Sequence, residues 1–198
     1  AVLVNSPGNP TGAVIEDGEL LAIARMAQRQ GFTLLYDDTY ARMTFGGAEP
    51  ADLKRVREAA GDRFVVLGTA SKSYCMTGWR IGWIMGPKAL VDASAALVSH
   101  STQCPTSFAQ VGAVEALTGP QGFVAQQTAE YQRRRDTLHA ALTAIDGLTC
   151  VVPDGAFYLF PNVTRFLSRR VPDDVRLATA MLEEAGVAVV PGEAFGGP

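Results

Sequence analysis

Apolar positions along the chain switch between short continuous runs and helical spacing, and that rhythm predicts the elements in order. Val2, Leu3 and Val4 read as the inside of a buried strand, running into Asn5-Ser6-Pro7-Gly8-Asn9-Pro10-Thr11-Gly12, where prolines and glycines forbid regular structure. Leu20, Ile23, Ala24 and Ala27 recur at helical spacing and predict a helix over 17–30 that stops at Gly31. Residues 32–36 form an apolar run of the kind found in parallel strands covered on both faces, ending at Asp37-Asp38-Thr39-Tyr40. A short helix over 51–60, a strand over 64–69 and a strand over 81–85 follow. Helices are expected over 87–98, 106–117 and 122–145, the last with Leu138, Ala141, Leu142 and Ile145 on one face. After Gly147 the rhythm changes to strands at 149–152 and 157–160, a helix from Pro172 with Ala178, Met181, Leu182 and Ala185 as its stripe, and a strand at 187–190. This predicts an α/β domain with a mostly parallel sheet over 1–120. Over 121–198 it predicts a long connecting helix and an incomplete small α+β domain.

Length and composition narrow the reading. The 198 residues, 47% of them hydrophobic, suffice for a sizeable core, long for one domain and short for two. Both ends read as cut, and a fragment of a longer protein is expected. Net charge is −3 with both signs interspersed, which argues against a nucleic-acid or membrane-surface partner. Cys75, Cys104 and Cys150 lack C-x-x-C spacing, so neither zinc nor a disulfide framework is expected, and a reducing cytoplasm fits best. No run reaches membrane-spanning length, and no signal-peptide pattern opens the chain.

The chemistry concentrates between Thr69 and Arg80. Lys72 follows two small hydroxyl residues, Thr69 and Ser71, after an apolar strand and eight residues before Arg80. A lysine attacks carbonyls only when its amine is kept partly neutral, which apolar cover and a nearby cation promote. The hydroxyls and guanidinium suit a phosphate. Together they point to a Schiff-base lysine beside a phosphate clamp, although a lysine after a strand is also a common solvated loop residue. T-x-x-K also matches the S-x-x-K pattern of acyl-transfer enzymes. Asn9, before Pro10, stands at a strand's carboxyl end, where ligands gather in α/β sheets. Asp37, nearer the buried strand, is the better candidate for a cationic partner, while Asp38 is expected to be solvated or to cap the turn. Trp79 and Trp83 read as packing, His100 as a surface or interface residue, and the Arg133-Arg134-Arg135 run as a solvated face.

The motifs, taken in order, resemble those of class I and II aminotransferases, pyridoxal-phosphate enzymes of fold type I. They are N-P-T-G at 9–12, D-D-x-Y at 37–40, T-A-S-K at 69–72 and W-R-I-G at 79–82, while G-A-F-Y at 155–158 and V-A-V-V-P-G at 187–192 look like the small domain of the aspartate aminotransferase subgroup. The resemblance covers essentially the whole chain and implies a three-layer α/β/α large domain with pyridoxal 5′-phosphate as cofactor. Lys72 would carry the Schiff base and shuttle a proton, and Asp37 would pair with the pyridine nitrogen. Asn9 and Tyr40 would bond the phenolic oxygen, and Thr69, Ser71 and Arg80 would hold the phosphate. It further implies amino-group transfer between an amino acid and a 2-oxo acid, a homodimer with the site at the interface reached from residues 100–106, and a cis Asn9–Pro10 bond. Asp38 stands where the family usually has Glu. The glycine-rich segment and ring-stacking aromatic precede Ala1 in relatives and the carboxylate-binding arginine follows Pro198, so these 198 residues alone are expected to be inactive and a poor cofactor binder. A lyase or synthase of the same fold, and a cofactor-sensing regulatory module, remain alternatives.

Overall fold

A computed structural model describes residues 1–196. The described residues divide into two compact units, one of Ala1–Arg133 with Pro153–Tyr158, the other of Arg134–Val152 with the residues from Leu159 onward.

The first unit is built on a four-stranded sheet in sequential order: β1 (Val2–Asn5), β2 (Leu34–Asp37), β3 (Phe64–Thr69) and β4 (Gly82–Met85). The first three strands run parallel and β4 is antiparallel to β3. Between β1 and β2 lies α1 (Asp17–Gln30), and between β2 and β3 lies α2 (Leu53–Ala60). The first of these helices has the predicted bounds because its apolar stripe, Leu20, Leu21, Ala24 and Ala27, is fully covered and Gly31 turns left-handed to close it, donating to the Ala27 carbonyl. Asp52 caps α2 by accepting from the Lys54 and Arg55 amides. Both helices lie on one sheet face, where Leu34, Tyr36, Phe64 and Val66 complete the main core with them. Each large apolar side chain so buried contributes about 1.5–3 kcal/mol.

Because a pleat alternates, the same register puts Asn5, Asp37, Leu67 and Thr69 on the opposite face. At its far edge the sheet tolerates a bulky neighbour: Gly68 pairs with Trp83, and a Cβ at Gly68 would lie 2.1 Å from the indole nitrogen. Three further helices follow, α3 (Lys88–Ser101), α4 (Ser107–Thr118) and α5 (Gly122–Thr143). On α4, Ala109 and Ala113 form a second small core with Ala70, Met76 and Ile81. No helix among the described residues is long and apolar enough to cross a membrane.

The second unit contains the last part of α5, a single-turn helix at Thr164–Phe166, α6 (Asp174–Ala185) and a short turn of helix at Gly192–Phe195. Asp173 accepts from the Arg176 amide at the start of α6, and Gly186 ends it in a left-handed conformation. His139 Nε2 donates to the Cys150 carbonyl at 2.9 Å, and Asp174 Oδ2 accepts from the Glu193 amide at 2.8 Å.

Several expectations are corrected. Val2 and Leu3 are 41% and 61% exposed, since β1 is an edge strand with one neighbour among the described residues. Among the described residues no ladder forms at 149–152, 157–160 or 187–190; an isolated bridge joins Thr149 to Asn162, and another joins Thr44 to Gly155. Apolar β-branched content makes a segment willing to be a strand, but a strand exists only where a partner supplies hydrogen bonds. Proline at 153, 161 and 191 removes donors beside each of these runs. Leu138, Ile145 and Leu182, expected on buried stripes, are about half exposed.

The segment Pro153–Tyr158 lies against the loop that follows β1. The Gly155 amide donates to the Gly12 carbonyl at 2.9 Å, and a Cβ at Gly12, whose φ is +67°, would lie 2.4 Å from Pro153 Cβ and 2.6 Å from the Gly155 carbonyl. Gly12→Ala is therefore expected to destabilise the protein by more than about 2 kcal/mol, through left-handed strain plus overlap with backbone. Gly18→Ala, inside α1 with nothing within 4 Å of the added carbon, should change stability in the opposite direction by about 0.5–1 kcal/mol. Thermal unfolding of the two variants checks the pair, and equal melting temperatures would refute the close-approach argument.

Candidate functional site

The three parallel strands finish side by side, because Asn5 is in register with Asp37 and Asp37 with Leu67, two residues before Thr69. Their polar ends share the face turned away from α1 and α2. The carboxyl ends of parallel strands are where ligands bind in open α/β sheets.

Asn5 ties two loops together. Its Oδ1 accepts from the Asn9 amide at 2.8 Å, and its Nδ2 donates to the Asp37 carbonyl at 3.3 Å. The loop between them is held by Gly8 donating to the Ala13 carbonyl and Gly12 donating to the Gly8 carbonyl, at 2.9 and 2.7 Å. The Asn9–Pro10 bond is cis, as expected, and so is Ser6–Pro7. Beneath the loop the buried Tyr36 hydroxyl donates to the Ser6 carbonyl at 2.9 Å. Burial, followed by the Asp38 carboxylate, pushes this phenol up to about 12, so it stays a donor at neutral pH.

Of the two adjacent acids it is Asp37, not Asp38, that caps the turn. Asp37 makes the turn, its Oδ1 accepting from the Thr39 amide at 3.0 Å and the Thr39 hydroxyl at 2.5 Å. Its Oδ2 has no protein hydrogen-bond partner among the described residues. Asp38 does not cap the turn, and burial, then repulsion from Asp37, raises it to about 6 against the pull of Arg42. The next site residue, Tyr40, is 5% exposed, and its hydroxyl shares a short hydrogen bond with that of Tyr158. Burial first, and then that bond, hold the Tyr40 phenol above its ordinary range. Its ring meets Phe157 and Tyr158 edge-on at centroid distances of 5.5 and 5.6 Å.

Lys72 lies in the turn after β3, and the second core fixes that turn through Ala70 and Met76 against α4. The Ile81 carbonyl accepts from the Ala70 amide and the Thr69 hydroxyl, at 3.2 and 2.8 Å. Thr69 Oγ1 lies 2.9 Å from Ser71 Oγ and accepts from the Ser71 amide at 3.1 Å. Lys72 Nζ stands 5.5 Å from the Phe157 ring centroid, a cation–π contact of about 0.5–2 kcal/mol. Phe157 also stacks with Tyr131. Arg80 is left-handed and exposed, and its guanidinium donates to the Thr77 carbonyl at 2.9 Å.

The structure thus brings Asn9 to Asp37 through Asn5, Lys72 to Tyr40 through Phe157, and Thr69 to Ser71. Among the described residues the Arg80 guanidinium has no hydrogen bond or ion pair to these residues; its chain neighbour Ile81 joins the Thr69 turn. Sequence reasoning missed Asn5, Phe157 and Tyr158. Asn5 carried a usable signal, as the last residue of an apolar strand. The aromatic pair lay in a noted motif, but nothing in two aromatic letters ties them to a lysine far upstream. Among the described residues no group of three or more His, Cys, Asp or Glu side chains is arranged to hold a metal ion.

Comparison with known proteins agrees with this geometry. The profile of the family described as aminotransferase class I and II matches residues 1–198. The chain is 41% identical to an aspartate aminotransferase of Geobacillus stearothermophilus, covering all of this chain and 51% of that protein. It is 40% identical to an aspartate/prephenate aminotransferase of Cereibacter sphaeroides, over 98% of this chain and 50% of the relative. It superposes with a TM-score of 0.92 and 39% identity on the crystal structure of the Rhizobium meliloti aspartate aminotransferase, covering all of this chain and 51% of that one. The chain spans about half the length of the relatives it matches. The α/β fold is that of the fold type I enzymes, and the chain belongs to the class I and II aminotransferase family.

Proposed function

We propose that the protein is a pyridoxal-phosphate-dependent aminotransferase that moves an amino group between an amino acid and a 2-oxo acid, with Lys72 as the reacting amine. The observation that carries this reading is the placement of Lys72 Nζ over Phe157, whose ring also meets Tyr40, at the end of a strand adjacent to the one that ends in Asp37.

The donor set suits the cofactor. Asp37 has a free carboxylate oxygen to pair with a protonated ring nitrogen. Thr69 and Ser71 offer hydroxyls to a phosphate, to which Arg80 would add its charge after leaving the Thr77 carbonyl. The Tyr40 hydroxyl and the Asn9 side-chain amide would donate to a phenolic oxygen. When bound, pyridoxal phosphate supplies an electron sink that lets a proton leave the α-carbon of an amino acid. Lys72 Nζ would hold the cofactor covalently at rest and, once displaced by the substrate amine, would accept that proton and return it. The Phe157 ring, itself stacked with Tyr131, gives the amine an apolar neighbour.

The relatives named as aspartate aminotransferases favour aspartate as the amino donor. A second copy of the chain is the proposed partner. Support comes from Leu97, Phe108, Val111 and Val114 on α3 and α4, apolar side chains that stand 60–71% exposed. The free thiols Cys75, Cys104 and Cys150 support a cytoplasmic location.

In the full-length protein, Lys72→Ala should lower turnover by about 10³-fold or more, the range of a lost general base and nucleophile together. Borohydride reduction of the cofactor-loaded parent should then leave the label on the peptide containing Lys72, read by mass spectrometry. Label on another lysine would overturn the assignment. A further expectation concerns Asp38. Its carboxyl is raised to about 6 in the folded chain, above the usual 3.9 of an unfolded one, so the folded state binds the extra proton between those values. Stability is therefore lost as pH rises from about 4 to about 6. Asp38→Asn should match the parent's melting temperature near pH 4 and exceed it above pH 6, and a difference independent of pH would count against the buried-carboxyl account.

A further inference from the structure

Tyr158 has a hydroxyl whose sole hydrogen-bond partner among the described residues is the Tyr40 hydroxyl. It is delivered to that spot with care. The Gly155 amide bonds the Gly12 carbonyl, the Ala156 amide bonds the Met43 carbonyl at 2.8 Å, and Ala156 is fully buried with φ at +59°. A non-glycine residue there costs on the order of 1–3 kcal/mol and persists only when its surroundings over-determine it. The reward is that adjacent residues serve both halves of the site: Phe157 lies under the Lys72 ammonium, and Tyr158 meets Tyr40.

We propose that Tyr158 is a positioning residue, whose hydroxyl fixes the oxygen of Tyr40 and decides where the Tyr40 hydrogen points. A phenol has one hydrogen to give and two lone pairs to receive with. Between two phenols, one hydrogen lies in the shared bond and the other is left over. If Tyr40 donates to Tyr158, its hydrogen is spent. If a ligand oxygen stands in front of Tyr40, the pair turns over: Tyr158 donates to Tyr40, and Tyr40 donates to the ligand, each bond polarising the next. Tyr40 is then a stronger donor than a lone phenol, which withdraws electron density from the ligand oxygen and lowers the proton affinity of the nitrogen conjugated with it. The inference rests on the proposed cofactor reading for the last of these links, but not for the coupling of the two tyrosines.

The test uses the full-length protein with Tyr158→Phe, Tyr40→Phe and the double variant. Tyr158→Phe removes one oxygen and keeps the ring contact with Phe157, so the fold is retained. In the apoprotein, NMR of tyrosines labelled at Cζ follows the ionisation of Tyr40, identified by its loss in Tyr40→Phe. Its midpoint should shift by roughly half a pH unit in Tyr158→Phe, the scale of one neutral hydrogen bond. In the cofactor-loaded protein, the pH midpoint of the visible absorbance should rise by a similar amount in Tyr158→Phe, by more in Tyr40→Phe, and no further in the double variant. Turnover should drop several-fold in Tyr158→Phe with KM unchanged. A Tyr158→Phe protein with both midpoints at the parent values overturns the proposal, since the pair would then be packing alone. A shifted apoprotein midpoint in a protein that takes up no cofactor would sustain the coupling while sinking the functional reading.

Discussion

Parallel strands that stop together leave their last polar groups crowded on one face with no further strand to satisfy them, and in this chain the crowding falls on Asn5, Asp37 and Thr69. Each answers locally. Asn5 spends both ends of its amide on the neighbouring loop and strand, Asp37 spends one oxygen on Thr39, and Thr69 works within its own turn and onto Ile81. After those bonds a carboxylate oxygen, two phenols and an ammonium are held in place by groups that are already satisfied. Preorganised polar groups of this kind need not be reordered when a ligand arrives.

What was legible in the sequence follows from how local each determinant is. The bounds of α1 were legible because spacing and the terminal glycine act within one helix, and the Lys72 turn because a strand, two hydroxyls and a lysine are contiguous. The N-P-T-G loop was legible for the same reason. Electrostatics were harder. Asp37 and Asp38 are chemically near-identical, and only the backbone direction at the strand end decides which one caps the turn and which is left facing burial and repulsion.

The rest depends on partners far along the chain. Valines at 151, 152, 187, 189 and 190 carry the composition of strands, yet pairing is a property of two segments, and composition reports only one. Phe157 and Tyr158 show the converse, since their motif was visible while their contacts with Lys72 and Tyr40 were not. Their position depends on Gly12 leaving room for Pro153 and Gly155, a fact about two loops that neither loop states alone.

That docking has a consequence for how the molecule comes into being. The first unit is not one uninterrupted stretch: the chain leaves it at Arg133 and returns for Pro153–Tyr158. During synthesis the sheet and its covering helices can assemble early, but the aromatic wall beside the lysine arrives only after the intervening residues have left the ribosome. Closing so long a loop adds little entropic cost over a shorter one, because that cost grows only with the logarithm of length. The contact between Lys72 and Phe157 is thereby deferred until the residues from Arg134 to Phe157 have been made.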